Sequence, residues 1–195
     1  MYKIEDKDID LLKQFLDSEK QAIDENRWQD VFKSWYDVTD KHWAANGGTK
    51  TDNSLLTYFL MKANINFLNH MYTIPSSCFS HLDTLPDTFT VPHNIMHIKE
   101  FAFDKVNSEK IIVKSVYTIS SYAFAECDNL KFVYLPKCLF EMHSSAFIAC
   151  PNLNHIYYEG KKKEWSKVKL APDWFVKGDA GHELTVHCLD GDIEI

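Results

Sequence analysis

The sequence predicts an α/β solenoid, a stack of similar coils bearing a short parallel ladder of strands and closed at each end by a cap. Three observations predict it. The stretch Ile119-Ser-Ser-Tyr-Ala-Phe-Ala-Glu-Cys-Asp-Asn-Leu130 is copied 23 positions later by Met142-His-Ser-Ser-Ala-Phe-Ile-Ala-Cys-Pro-Asn-Leu153. A short run with period-two alternation precedes each copy, and the first 73 residues contain no copy but carry helical periodicity. Traced backwards, the unit continues through Ile98, Ala102 and Phe103 and through Ile74, Cys78 and Phe79. Its phenylalanines stand at 79, 103, 124 and 147, with steps of 24, 21 and 23 residues. Such steps belong to repeats of roughly 20–29 residues that each add one strand to a stack.

The elements follow in order. Ile9, Leu12 and Leu16 share one face of a first helix, and Trp28, Val31, Phe32, Trp35 and Tyr36 keep i, i+3, i+4, i+7, i+8 spacing on a second. A polar segment with Asn46-Gly-Gly-Thr49 is expected between Asp37 and Asn53. Asp52, Asn53 and Ser54 are candidate N-caps of a third helix carrying Leu56, Phe59, Leu60, Ala63 and Phe67. A solenoid exposes the apolar edge of its first coil, so 1–73 is expected to cap it. The same helices could instead form an independent binding domain or fold back over the sheet.

Residues 74–160 form the solenoid, with strands at Phe89-Thr-Val-Pro92, Ile111-Ile-Val-Lys114, Val133-Tyr-Leu-Pro136 and from Ile156. Alternation sends Phe89, Val91, Ile111, Val113, Val133, Leu135, Ile156 and Tyr158 to the core. Residues 161–195 are expected to form a second cap. It begins with a short helix at Lys161-Lys-Lys-Glu-Trp165, whose Trp165 and Val168 close the distal end, and finishes with a strand from Glu183 to Cys188 turned by Asp190-Gly191.

Asn129-Leu-Lys-Phe-Val-Tyr-Leu-Pro136 through Ala146-Phe147 resembles the BspA-type leucine-rich repeat. The tail, in Tyr157-Tyr-Glu-Gly160, Glu164-Trp165, Trp174 and Thr185-Val-His-Cys188, looks like that family's ending. The resemblance covers about 74–195, and in the first copies Cys78 replaces the alanine and 106–110 lacks the Cys-x-Asn-Leu segment. It implies a leucine-rich-repeat solenoid of about four coils that binds other proteins. Such solenoids occur in cell-surface proteins and in signal-less proteins of bacteria and their phages, and there are no catalytic residues to carry over. It also implies that Cys127 and Cys150 fill a buried small-thiol position. Cys78 stands where other copies place Ala102, Ala123 and Ala146, leaving Cys138 and Cys188 outside the pattern.

Composition narrows the function. The 195 residues are 45% hydrophobic and 14% aromatic, enough for a sizeable core without metal or disulfides. Net charge is -7 and Arg27 is the sole arginine, so nucleic acid is not an expected target. The opening Met1-Tyr-Lys-Ile-Glu-Asp-Lys-Asp lacks the pattern of an export signal and no apolar run reaches membrane-spanning length, so a cytoplasmic location is expected. The five cysteines, an odd number, do not suggest a disulfide framework.

Catalytic and cofactor chemistry is not expected. Gly47-Gly48-Thr49-Lys50 lacks P-loop spacing. His187-Cys188, with His182 nearby, lacks a second ligand pair, so neither zinc nor another cofactor is expected. Cys138 and His143 form a weak nucleophile pairing without an orienting partner, and Asp30, Asp37, Asp40 and His42 form no recognised constellation. The Lys161-Lys162-Lys163 run reads as a solvated helix start.

The outward strand positions are more informative. Stacking aligns Thr90, Ile112, Tyr134 and Tyr157 in one column and Thr88, Lys110, Phe132 and His155 in the next. Four of these eight are apolar or aromatic, which marks an interface unless the N-terminal helices fold back over this face or the rings are ordinary scattered surface aromatics. The expected partner-binding residues are therefore Phe132, Tyr134, His155, Tyr157, Ile112 and Lys110, with Lys131 a further rim contact. The acidic total favours a protein partner with a basic surface. The resulting expectation is a non-enzymatic protein-binding module, and the resemblance adds an inhibitor encoded by a phage or mobile element, or a relative of a bacterial surface adhesin.

Overall fold

The computed structural model describes residues 6–45, 53–176 and 183–195. The segment 46–50, Asp52 and His182 lie outside them, as do the opening residues 1–5 and the side chain of His42. Helices α1 (Asp6–Ser18), α2 (Lys20–Asp24), α3 (Trp28–Ala45) and α4 (Ser54–Lys62) come first. Their buried stripe of Leu12, Phe15, Trp28, Val31, Phe32, Trp35, Leu56 and Leu60 follows from their spacing, and Phe15 packs on Trp35 with centroids 4.9 Å apart. No described helix is long and apolar enough to cross a membrane.

Four details depart from expectation. The second helix continues through 37–45 instead of yielding to a polar segment. There Val38 and Thr39 prolong the stripe from Trp35, and the Thr39 hydroxyl donates to the Trp35 carbonyl at 2.9 Å. Tyr36, expected on the buried face, is 41% exposed. Asn53 occupies the N-cap position of α4, but its amide donates to the Ser76 carbonyl at 2.8 Å instead of capping a helix N–H. Phe67 lies beyond α4, which ends where Asn64 turns left-handed at φ 54°. It precedes a 3-10 turn at Leu68–His70 and sits between Trp28, Phe32 and Phe79, at 6.3, 5.3 and 6.5 Å. The helices therefore close onto the first coil through this ring.

The first coil supplies β1 (Thr73–Ile74) and β2 (Thr88–Val91), the second β3 (His97–Ile98) and β4 (Lys110–Val113), and the third β5 (Thr118–Ile119) and β6 (Phe132–Leu135). The fourth supplies β7 (Glu141–Met142), β8 (Phe147–Ile148) and β9 (His155–Tyr158). The C-terminal part adds α5 (Lys162–Trp165), β10 (Lys169–Leu170), β11 (Phe175–Val176), β12 (Thr185–Cys188) and β13 (Gly191–Glu194). Two parallel ladders result. The short one runs β1-β3-β5-β7-β10, and the long one β2-β4-β6-β9-β12, with β13 closing it antiparallel. β11 pairs with β8 in a third, two-stranded sheet.

Between the ladders runs a column of phenylalanines. Phe79, Phe103, Phe124 and Phe147 are fully buried and nearly parallel, at centroid spacings of 4.9, 5.1 and 4.9 Å. Each is flanked two residues away on both sides by left-handed backbone: Ser77 and His81, Phe101 and Lys105, Tyr122 and Glu126, Ser145 and Ala149, all at φ between 51° and 59°. This kinked turn aims each phenylalanine N–H at a carbonyl of the next coil, as from Phe103 to Ala123 at 2.8 Å. The buried thiols of Cys127 and Cys150 lie 3.1 and 2.9 Å from the Phe103 and Phe124 carbonyls, one coil back. Cys78 is buried against Thr57 of α4 at 3.3 Å.

At the distal end Trp165, Val168 and Trp174 are buried, with Trp174 edge-on to Phe147 at 6.2 Å. The β12–β13 hairpin turns at Asp190 and Gly191, whose φ of 122° suits glycine. Asp190 accepts the Lys162 N–H at 2.7 Å, tying the hairpin to α5.

Candidate functional site

The outward face of the long ladder is built by strand alternation: β2 reads exposed-buried-exposed-buried, and β4, β6 and β9 alternate half-buried with buried. Pairing register then fixes the rows. Thr88, Lys110, Phe132 and His155 are successive partners, continued by Thr185. Thr90, Ile112, Tyr134 and Tyr157 form the second row, continued by His187.

The rings stack across the strands. Tyr134 and Tyr157 lie 4.7 Å apart and 13° from parallel, Phe132 and His155 5.7 Å and 10°. His187 extends the tyrosine row at 4.6 Å from Tyr157. Lys110 ends the array on the other side, its Nζ 5.7 Å from the Phe132 centroid and 5.9 Å from that of Tyr134. All six expected site residues are half-exposed, and no hydrogen bond or ring contact joins them to α1–α4 among the described residues. Lys131 lies beside the face, its Nζ 3.7 Å from Glu109.

His187 was missed as a site residue because it lies 30 positions after Tyr157, beyond the regular step. The lost signal was its period-two alternation, which matches that of the preceding strands. His187 brings chemistry to the row: its Nε2 is 3.1 Å from His155 Nδ1 and its Nδ1 is 3.0 Å from Asp192 Oδ1 of β13.

A second row was also missed. Tyr72, Met96, Tyr117 and Phe140 each precede a strand of the short ladder, at steps of 24, 21 and 23 residues, and the first three are 59%, 49% and 41% exposed. Tyr117 stacks on Phe140 at 4.9 Å and the Lys169 ammonium lies 4.4 Å from the Phe140 centroid. The steps repeat those of the buried phenylalanines, so the row could have been found by the same alignment.

The residues weighed for catalysis are not brought together. The Cys138 thiol points to the Val116 carbonyl at 3.7 Å, while His143 Nε2 faces Glu141 at 3.7 Å. Partial burial pushes the Cys138 thiol above its ordinary pKa, opposite to an activated thiolate. Asp30 of α3 pairs with Arg27, just before the helix, at 2.9 Å, and Asp37 and Asp40 are exposed further along α3. Among the described residues no three His, Cys, Asp or Glu side chains converge to hold a metal ion.

A stack of two-ladder coils with a capped end is the architecture of a leucine-rich-repeat solenoid. The sequence model of the BspA type leucine rich repeat region matches residues 53–168 in six copies, more than half of the chain, and the protein belongs to that family. The match begins earlier than 74, taking in α4, and ends at Val168. No curated protein and no solved structure gives a match. Repeats of this family serve as interaction modules and are typically non-enzymatic.

Proposed function

We propose that this protein is a non-enzymatic binding module that holds a protein partner on the outward face of its long ladder. Phe132, Tyr134, His155 and Tyr157 act as anchors, with Ile112 and Lys110 beside them. The observation that carries the reading is the double row of half-exposed stacked rings on a face where, among the described residues, no hydrogen bond or ring contact joins the rings to α1–α4. Tyrosines held rigid by stacking lose little entropy on burial and are common hot-spot residues. The net charge of -7 and the acidic hairpin Asp190, Asp192 and Glu194 favour a basic partner surface. An inhibitor supplied by a phage or mobile element, acting in the cytoplasm on a host or defence protein, is the finer form of this reading and draws on the family resemblance.

The test is the double variant Tyr134→Ala with Tyr157→Ala. Capture from native-host lysate should be lost while the melting temperature stays within a few degrees of the parent, since these rings line no core. A variant that keeps its partner, or one that is strongly destabilised, contradicts the proposal.

A further inference from the structure

With both imidazoles neutral, the hydrogen-bond chain at the C-terminal end of the aromatic face runs in one direction. The Asp192 carboxylate is acceptor-only when ionised, so His187 Nδ1 carries a proton and donates to it at 3.0 Å. In a neutral imidazole the other nitrogen is then a bare acceptor. His187 Nε2 therefore accepts the Nδ1–H of His155 across 3.1 Å. That fixes His155 in turn, leaving its Nε2 with an unused lone pair and no hydrogen-bond partner among the described residues. The strand ladder and the stacking of His155 on Phe132 hold the ring in place.

From this arrangement we infer that His187 and Asp192 are positioning residues that present His155 Nε2 as an acceptor for an arginine side chain of the protein partner. The inference rests on the reading of this face as the partner surface. The surrounding groups fit a cationic donor. From β13, Asp192 and Glu194 lie on this side of the hairpin, Glu194 bonded by the Thr185 hydroxyl at 3.1 Å. From β6 and β9 come the phenols of Tyr134 and Tyr157, and the cation Lys110 of β4 lies at the far end, engaged with Phe132 and Tyr134. A planar guanidinium can donate to an imidazole nitrogen and stack on aromatic rings, which a point-like ammonium cannot do in fixed geometry.

The probe is the capped peptide acetyl-Gly-Arg-Gly-amide, with the citrulline peptide as an uncharged counterpart of nearly the same shape. Imidazole nitrogen–proton correlation spectra of the full chain report tautomer and contact together. At pH 8 His155 should show a protonated Nδ1 and a bare Nε2. The arginine peptide should shift the His155 and Tyr157 signals saturably, with the citrulline peptide at least about tenfold weaker, the loss expected for one charge-assisted hydrogen bond. Asp192→Ala should mix the His187 tautomers and weaken the arginine response several-fold while the backbone spectrum stays native. Equal response to both peptides, no response, a protonated His155 Nε2 at pH 8, or an Asp192→Ala protein that binds like the parent overturns the inference. Capture from lysate separates it from the broader reading. If His155→Ala keeps the protein that the double tyrosine variant loses, the face binds but not through this acceptor. If the double variant also keeps it, the face reading itself fails.

Discussion

Phe124 shows what a single side chain contributes when every neighbour is a copy of itself. It is fully buried between Phe103 and Phe147, and truncation leaves a cavity that neither neighbour can fill without leaving its own coil. Phe124→Ala should cost about 3–5 kcal/mol in a denaturant melt; an unchanged midpoint would contradict the stacking. The thiols offer a second check. Cys78, Cys127 and Cys150 are buried while Cys138 is exposed and Cys188 half-buried, and burial raises the pKa of Cys127, Cys138 and Cys188 alike. Alkylation of the native protein should reach only Cys138 and Cys188, slowly at pH 7 and faster as pH rises. Rapid labelling of Cys138 at pH 7 would count against its raised pKa. The phenylalanines and thiols were legible because the repeat returns them at near-constant steps. The left-handed residues beside them were not, since Ser77, Phe101, Tyr122 and Glu126 carry none of the glycine that signals positive φ.

Among the elements, β12 departs furthest from what the sequence discloses. Its alternation marks a strand, yet the stretch between Tyr158 and Thr185 breaks the period, so it reads as part of a cap and not as the next rung. The structure makes it both: it pairs parallel with β9, and its Val186, with Leu184 just before it, is fully buried against the distal core. Removing residues 183–195 should therefore cost about 3–6 kcal/mol, taking about 1.5–3 for each buried aliphatic, and a urea titration measures it. A loss below 1 kcal/mol would mean that the solenoid ends at β9. The outward rows of β4, β6 and β9 were legible down to register, because the spacing of equivalent residues fixes which strand positions become partners.

For the whole molecule, the sequence left open whether the helices cap the stack, stand apart or cover the sheet. The deciding contact is Phe67, which reads as a helix position but falls in the turn after α4 and joins α3 to the phenylalanine column. No local pattern announces a contact of that kind. Nor does any local pattern name a partner, since a row of exposed rings specifies shape before identity. The hairpin at the other end carries one more consequence. A parallel ladder has no intrinsic last strand, and a second molecule could in principle add its coils to the first, lengthening into a fibre. β13 runs backwards across that end bearing Asp192 and Glu194, with Asp190 in the turn before it, so an incoming strand meets reversed polarity and three like charges. The combined Asp190→Asn, Asp192→Asn and Glu194→Gln protein should keep its fold but sediment as larger species than the parent at equal concentration; an identical sedimentation profile would show that reversal alone suffices. The hairpin thus acts as the terminator of a potential polymer.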